Sequence, residues 1–154
     1  MRIVYMGTPE FAIPPLKSLI KEGYNIAGVI TAPDKPSGRG KKITPPPVKK
    51  FAISEGLNVL QPANLKSPEF ITQLKALKPD LQIVVAFRML PRQVWEMPEH
   101  GTFNLHASLL PKYRGAAPIN HAIMNGEKET GLTTFMIDEK IDTGNILMMK
   151  KMEI

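Results

Sequence analysis

The stretch Phe103-Asn104-Leu105-His106-Ala107-Ser108-Leu109-Leu110-Pro111, with Ile141-Asp142-Thr143-Gly144 further along, assembles an amide, an imidazole and a carboxylate in a chain without cysteine. Such a set stabilises charge and moves protons at a carbonyl, without a thiolate for covalent attack. Asn104 and His106 stand two apart in an apolar run, so on a strand both side chains leave by the same face and can converge on one atom. When an amine attacks a carbonyl or formyl carbon, the oxygen becomes negative and the amine positive. The Asn104 amide and the His106 imidazole would donate to that oxygen. Asp142 would orient the histidine and accept the amine proton, directly or through water. Each residue alone also has an ordinary structural role: Asn104 as the cap of a strand end, His106 as a satisfied core histidine, Asp142 as a turn former.

Other chemistries fit less well. Asp142-Thr143-Gly144 matches the aspartic-protease triplet, but as a lone tripeptide in a pattern that is parallel α/β rather than all-β. His100, His106 and His121 have no zinc-motif spacing, so no metal is expected. Gly7-Thr8-Pro9 follows the first strand as a dinucleotide loop would, yet Gly-x-Gly-x-x-Gly is missing and Pro9 lacks the N–H that a phosphate nest uses.

The elements that must position the trio alternate. Arg2 to Met6 reads as a buried strand. Thr8 is the expected N-cap and Pro9 the first residue of a helix whose stripe is Phe11, Leu16, Leu19 and Ile20, stopping at Gly23. A strand over Asn25 to Thr31 completes a βαβ unit. There follow a helix near Val48 to Glu55, a short strand at Asn58 to Leu60, a helix near Pro68 to Leu77 and a strand over Leu81 to Phe87. A short helix near Arg92 to Glu96 precedes the strand Gly101 to His106. This alternation predicts an α/β fold with an open, doubly wound, mostly parallel Rossmann-like sheet, whose ligands bind beyond the carboxyl ends of the strands. Asn104 and His106 stand at such an end. Beyond the loop Ala107 to Gly115 come a helix near Ala117 to Asn125, a strand over Gly131 to Ile137 and a strand over Ile146 to Glu153, the last two expected to pair antiparallel.

At 154 residues and 43% apolar composition the chain is long enough for one globular domain with its own core. The longest apolar run, Ile83 to Phe87, falls far short of the ~18 residues a membrane helix needs, and the first residues form no signal sequence. A soluble, cytoplasmic protein is expected. The net charge of +6 is concentrated: from Asp34 to Lys50, the bases Lys35, Arg39, Lys41, Lys42, Lys49 and Lys50 face the single acid Asp34, a net of +5. Residues 32 to 47 hold five of the fifteen prolines and two glycines, which predicts a long irregular loop. Arg39 between two glycines, followed by Lys41 and Lys42, suits phosphates that the backbone can approach closely, as in a nucleic acid. Only Phe51 lies near, so a stacking platform for single strands is not supported.

Several long motifs in order carry a resemblance across nearly the whole chain: Met1-Arg2-Ile3-Val4-Tyr5-Met6-Gly7-Thr8-Pro9-Glu10-Phe11-Ala12, Pro33-Asp34-Lys35-Pro36 with Gly38-Arg39-Gly40-Lys41-Lys42, Asn104 to Pro111, Tyr113-Arg114-Gly115-Ala116-Ala117-Pro118-Ile119 and Asp142-Thr143-Gly144. With these the sequence resembles the methionyl-tRNA formyltransferase family. The resemblance implies the formyltransferase fold and formyl transfer from 10-formyltetrahydrofolate, as co-substrate, to the amino group of methionine on initiator tRNA. It further implies a monomer working without metal or membrane. It casts Asn104, His106 and Asp142 as the catalytic trio, Ser108, Leu109, Leu110 and Pro111 as the tetrahydrofolate-binding motif, and Lys35, Arg39, Lys41 and Lys42 as contacts to the tRNA acceptor stem. One departure bears on the pterin pocket: the family's Ala-Tyr-Gly segment is here Ala86-Phe87-Arg88-Met89-Leu90-Pro91, one residue shorter and without the glycine. The family also continues past this point and adds a C-terminal β-barrel domain, so residues 1–154 are expected to be an incomplete catalytic domain.

The nearest rivals share the trio. Glycinamide ribonucleotide formyltransferase would need a glycine-rich phosphate loop where this chain has Gly7-Thr8-Pro9-Glu10, and sugar-nucleotide formyltransferases have no use for a +5 loop. A tRNA-binding module without turnover is the alternative of another class.

Overall fold

A computed structural model describes all residues from 1 to 154. They form two compact units, Met1–Gly101 and Thr102–Ile154.

In the first unit, β1 (Arg2–Gly7) lies between two parallel neighbours. That is why Ile3, Val4, Tyr5 and Met6 form an unbroken apolar run, each at most 1% exposed. The Tyr5 hydroxyl donates to the Ala12 carbonyl (2.6 Å), and burial pushes its phenol up, keeping the donor protonated. Gly7 is required where the chain leaves the strand: a Cβ there would crowd Ala12 and the Val85 carbonyl. A 3-10 turn at Glu10–Ala12 then leads into α1 (Ile13–Lys21).

This start of the helix differs from the sequence expectation. Pro9, in extended conformation, precedes the 3-10 turn, and the Thr8 hydroxyl caps nothing; it accepts from the Ala32 N–H at 3.3 Å. Two further prolines, Pro14 and Pro15, occupy the first turn of α1, where their missing N–H groups cost no intrahelical bond. Phe11, expected on the apolar stripe, falls in the 3-10 turn and is exposed.

After β2 (Asn25–Ile30) the chain forms a separate antiparallel hairpin of β3 (Lys35–Ser37) and β4 (Lys42–Thr44). The irregular loop expected at 32–47 is therefore partly regular. Left-handed Gly38, Gly40 and Lys41 (φ 71°, 92° and 50°) close a tip that a proline count cannot foresee. Then follow α2 (Pro47–Ser54), β5 (Val59–Leu60), α3 (Pro68–Ala76), β6 (Leu81–Val85) and α4 (Arg92–Trp95). The Ser67 hydroxyl caps α3 by accepting from the Phe70 N–H.

These strands pair in the order β5-β2-β1-β6, all parallel. The order runs outward from β1 and then returns to its other side. Right-handed crossovers therefore put the helices before and after the return on opposite faces, the doubly wound arrangement.

The second unit begins with β7 (Thr102–His106), then α5 (Pro118–Met124), β8 (Glu129–Met136) and β9 (Ile146–Glu153), the strands antiparallel in that order. Along β8 the buried residues alternate, Gly131, Thr133 and Phe135, as on a half-buried strand. All eight residues of β9 are exposed. No helix of the chain is long and apolar enough to cross a membrane.

Candidate active site

His106 ends β7 opposite Thr133 of β8, and Asn104 pairs with Phe135 one step back along the same face. His106 is 7% exposed. Its Nε2 lies 2.8 Å from the backbone oxygen of Tyr113, and its Nδ1 faces the Asp142 carboxylate, with 3.7 Å between Nδ1 and Oδ2. The structure thus brings together the imidazole and the carboxylate that the sequence reading grouped, 36 positions apart. A carbonyl only accepts, so Nε2 carries a hydrogen and the neutral ring keeps its lone pair on Nδ1. The span from Nδ1 to Oδ2 exceeds a hydrogen bond, which leaves Nδ1 free to engage a third atom.

Asp142 owes its place to backbone geometry. It adopts φ 53°, Oδ2 accepts from the Gly115 N–H (2.7 Å), and its own carbonyl accepts from Arg114 Nε (3.1 Å). Preceding it, the Asp138 carboxylate accepts from the Lys140 N–H and the Thr143 hydroxyl, an Asx turn that shapes the approach. Gly144 is the residue the turn demands, because a Cβ there would collide with the Met136 carbonyl.

Asn104 contributes differently. Its Oδ1 is buried with no hydrogen-bond partner, which an N–H donor would satisfy; rotating the amide would present Nδ2 at the same place.

The expected cofactor segment divides. Ser108 is fully buried and committed internally: its hydroxyl donates to the Lys112 carbonyl (2.7 Å), and its own carbonyl accepts from the Thr133 hydroxyl (2.6 Å). Leu109, Leu110 and Pro111, with Glu127 and Lys151 among others, line a cleft of about 310 Å³, at the lower end of the range for small-molecule sites. Thr133 escaped the sequence reading. It also accepts from the Leu110 N–H (3.3 Å), so one buried hydroxyl holds both ends of Ser108 to Leu110. Its only signal was a polar residue at an inward position of an alternating strand.

The first unit places the basic residues on the hairpin. Lys35, Arg39, Lys41 and Lys42 are all exposed, Arg39 at the tip. At its base, Asp34 accepts from Lys49 Nζ (3.0 Å to each carboxylate oxygen) and from Gln61 Nε2 (2.7 Å). The hydrogen bond from Gln61, then that from Lys49, holds the Asp34 carboxyl below the usual carboxylate range. Lys49 counts toward the +5 of this segment; in the structure it pairs with Asp34 at the base of the hairpin.

The shortened segment ends β6 at Val85, two residues earlier than expected, because Ala86 turns left-handed (φ 49°). Arg88, standing where the family's glycine is expected, donates to the carbonyls of Pro62 (2.8 Å) and Ala63 (3.2 Å) and lies over the Phe87 ring at 5.0 Å. Burial lowers its guanidinium from the ordinary arginine value.

A family model described as formyl transferase matches residues 1–154. This chain belongs to the formyl transferase family. Among its relatives are proteins named methionyl-tRNA formyltransferase from Flavobacterium johnsoniae, 61% identical over 154 residues, and Bacteroides thetaiotaomicron, 58% identical over 154 residues. Each match covers 100% of this chain, and 49% and 48% of the relative respectively. The chain therefore spans about half the length of the curated relatives it matches. Among solved structures, a phosphoribosylglycinamide formyltransferase from Bacillus halodurans superposes with a TM-score of 0.79 at 23% identity, covering 100% of this chain and 80% of the other. A formyltetrahydrofolate deformylase from Pseudomonas syringae gives 0.75 at 20% identity, covering 99% and 51%. At those identities the likeness establishes the fold: α/β, Rossmann-like, as in formyltransferases.

Proposed function

We propose that the protein carrying this chain transfers the formyl group of 10-formyltetrahydrofolate to the amino group of initiator methionyl-tRNA, in support of translation initiation. The observation that carries the reading is the facing of His106 Nδ1 and Asp142 Oδ2 on the strand end that also bears Asn104, in a chain 61% identical to a protein named for this reaction. The exposed basic hairpin supports a tRNA acceptor. The glycinamide ribonucleotide alternative has only low-identity likeness of fold behind it.

The residues fit a folate donor. Leu109, Leu110 and Pro111 would hold it along the cleft, and the unpartnered Asn104 amide would engage the polar atoms at the reacting end. When bound, the folate supplies the formyl carbon. Asn104 donates to the formyl oxygen as charge develops there, the moment at which a preorganised donor contributes most. Neutral His106, with hydrogen on Nε2, offers the lone pair of Nδ1 to the amine proton; the protonated ring would then return that proton from Nδ1 to the folate nitrogen as its bond to the formyl carbon breaks. Asp142 balances the imidazolium charge and provides an alternative acceptor for the amine proton. The imidazole thus acts first as acceptor, where the sequence suggested only a donor. Ser108 acts through its backbone, holding the segment in shape.

The test is a formylation assay with 10-formyltetrahydrofolate, offering Met-tRNA or glycinamide ribonucleotide, on the 154-residue chain and on the longer natural protein. Formylation of Met-tRNA alone is expected from the longer protein. Transfer to glycinamide ribonucleotide, or tRNA binding without transfer to either acceptor, would sink the proposal.

A further inference from the structure

The carbonyl that fixes the His106 ring belongs to a residue in a costly conformation. Tyr113 has φ 56°, the left-handed region, which a bulky L-residue adopts only where its surroundings hold it there. Its side chain is what is held: the Tyr113 hydroxyl donates to Glu127 Oε1 at 2.9 Å, and Lys112 Nζ reaches the same oxygen at 3.3 Å. The Tyr113 hydrogen bond first, and Lys112 second, hold the Glu127 carboxyl below the usual carboxylate range. Glu127 is itself pinned just beyond α5, where its N–H donates to the Ala122 carbonyl (3.0 Å). From the other side, the Ser108 hydroxyl grips the Lys112 carbonyl next to Tyr113.

The consequence reaches the imidazole. A carboxylate facing Nδ1 draws a hydrogen onto that nitrogen, and the Tyr113 carbonyl at Nε2 opposes it. We propose that Glu127 is a positioning residue: through Tyr113 it keeps neutral His106 as the Nε2–H tautomer, so that Nδ1 is the nitrogen free to take the amine proton. This rests on the formyl-transfer reading above. Glu127 does not touch the reacting atoms in this account; it acts only through the Tyr113 backbone.

The experiment compares Glu127→Ala, Tyr113→Phe and Glu127→Gln in the longer natural protein. Heteronuclear NMR of the imidazole nitrogens reads the His106 tautomer, and steady-state kinetics separate kcat from KM. Glu127→Ala and Tyr113→Phe are expected to move His106 toward the Nδ1–H form and to lower kcat on the order of 10- to 100-fold, the scale of a small misplacement at a reacting centre, with KM for Met-tRNA little changed. Glu127→Gln retains an oxygen that accepts from the phenol and is expected to restore both readouts. A wild-type tautomer in the Ala and Phe variants overturns the proposal, whether or not activity falls, because a merely structural role would leave the tautomer unmoved. Should the wild-type protein formylate neither acceptor, the formyl-transfer reading falls, while the spectra still judge the coupling of Glu127 to His106.

Discussion

With Nε2 bound to a carbonyl and Nδ1 facing a carboxylate, His106 can change its charge without moving, and each atom around it has a separable effect. His106→Ala, which removes the proton acceptor, or Asn104→Ala, which removes a preorganised donor, is expected in the longer protein to lower turnover on the order of 100- to 1000-fold; turnover like wild type in either variant would remove that residue from the mechanism. Thr133 belongs to the support of the site. Thr133→Val keeps the shape but leaves the Ser108 carbonyl and the Leu110 N–H without their partner in a buried place. A loss of about 1–3 kcal/mol in denaturant unfolding is expected, and an unchanged midpoint would show that the hydroxyl holds nothing. His106 and Asp142, which the structure brings together, could be grouped from the sequence because an imidazole and a carboxylate complement each other chemically. Thr133 could not, because a threonine on a strand is ordinary until its neighbours are known.

Among the elements, the basic hairpin is the one whose anchoring can be titrated. Asp34 has its carboxyl held below the usual range by Gln61 and Lys49, so its contribution is complete above the ordinary aspartate value and is lost as pH falls through the depressed folded value. Protection of the amides in residues 35–44, each exchange rate being divided by its intrinsic rate at the same pH, is therefore expected to fall on acidification below roughly pH 4. In Asp34→Asn the same amides should exchange faster already at neutral pH, with the acid-dependent step gone. An acid step that survives the substitution would place the responsible group elsewhere. The strands and helices around the hairpin were readable from periodicity, since burial on one or two faces writes itself into the spacing of apolar residues. The hairpin was not: its pairing is set by left-handed residues at Gly38, Gly40 and Lys41, and the prolines around it signal only a break in regular structure. Thr8 and Pro9 mark a similar limit, because the usual signature of a helix start is here spent on a 3-10 turn and a bond to Ala32.

At the scale of the whole molecule, the charge divides the work. Nearly all of the net +6 lies between Asp34 and Lys50 in the first unit, while the imidazole and carboxylate pair lies in the second. Arg39→Ala is expected to weaken tRNA binding and to make the slope of log affinity against log salt shallower by roughly one, the signature of a lost phosphate contact, with kcat at saturating tRNA nearly unchanged; a slope equal to wild type would take Arg39 out of the interface. By itself the sequence determined the α/β alternation, the chemical identity of the trio and the location of the positive charge, because side-chain type and spacing are what these depend on. Only the tertiary structure decided which nitrogen of His106 holds the hydrogen, that Ser108 faces inward, and that Asp142 is held by the Gly115 N–H. All three of those decisions rest directly on backbone groups from other positions in the chain, which are chemically alike at nearly every residue. Their assignment waits until the chain has folded and brought one particular carbonyl or amide into reach.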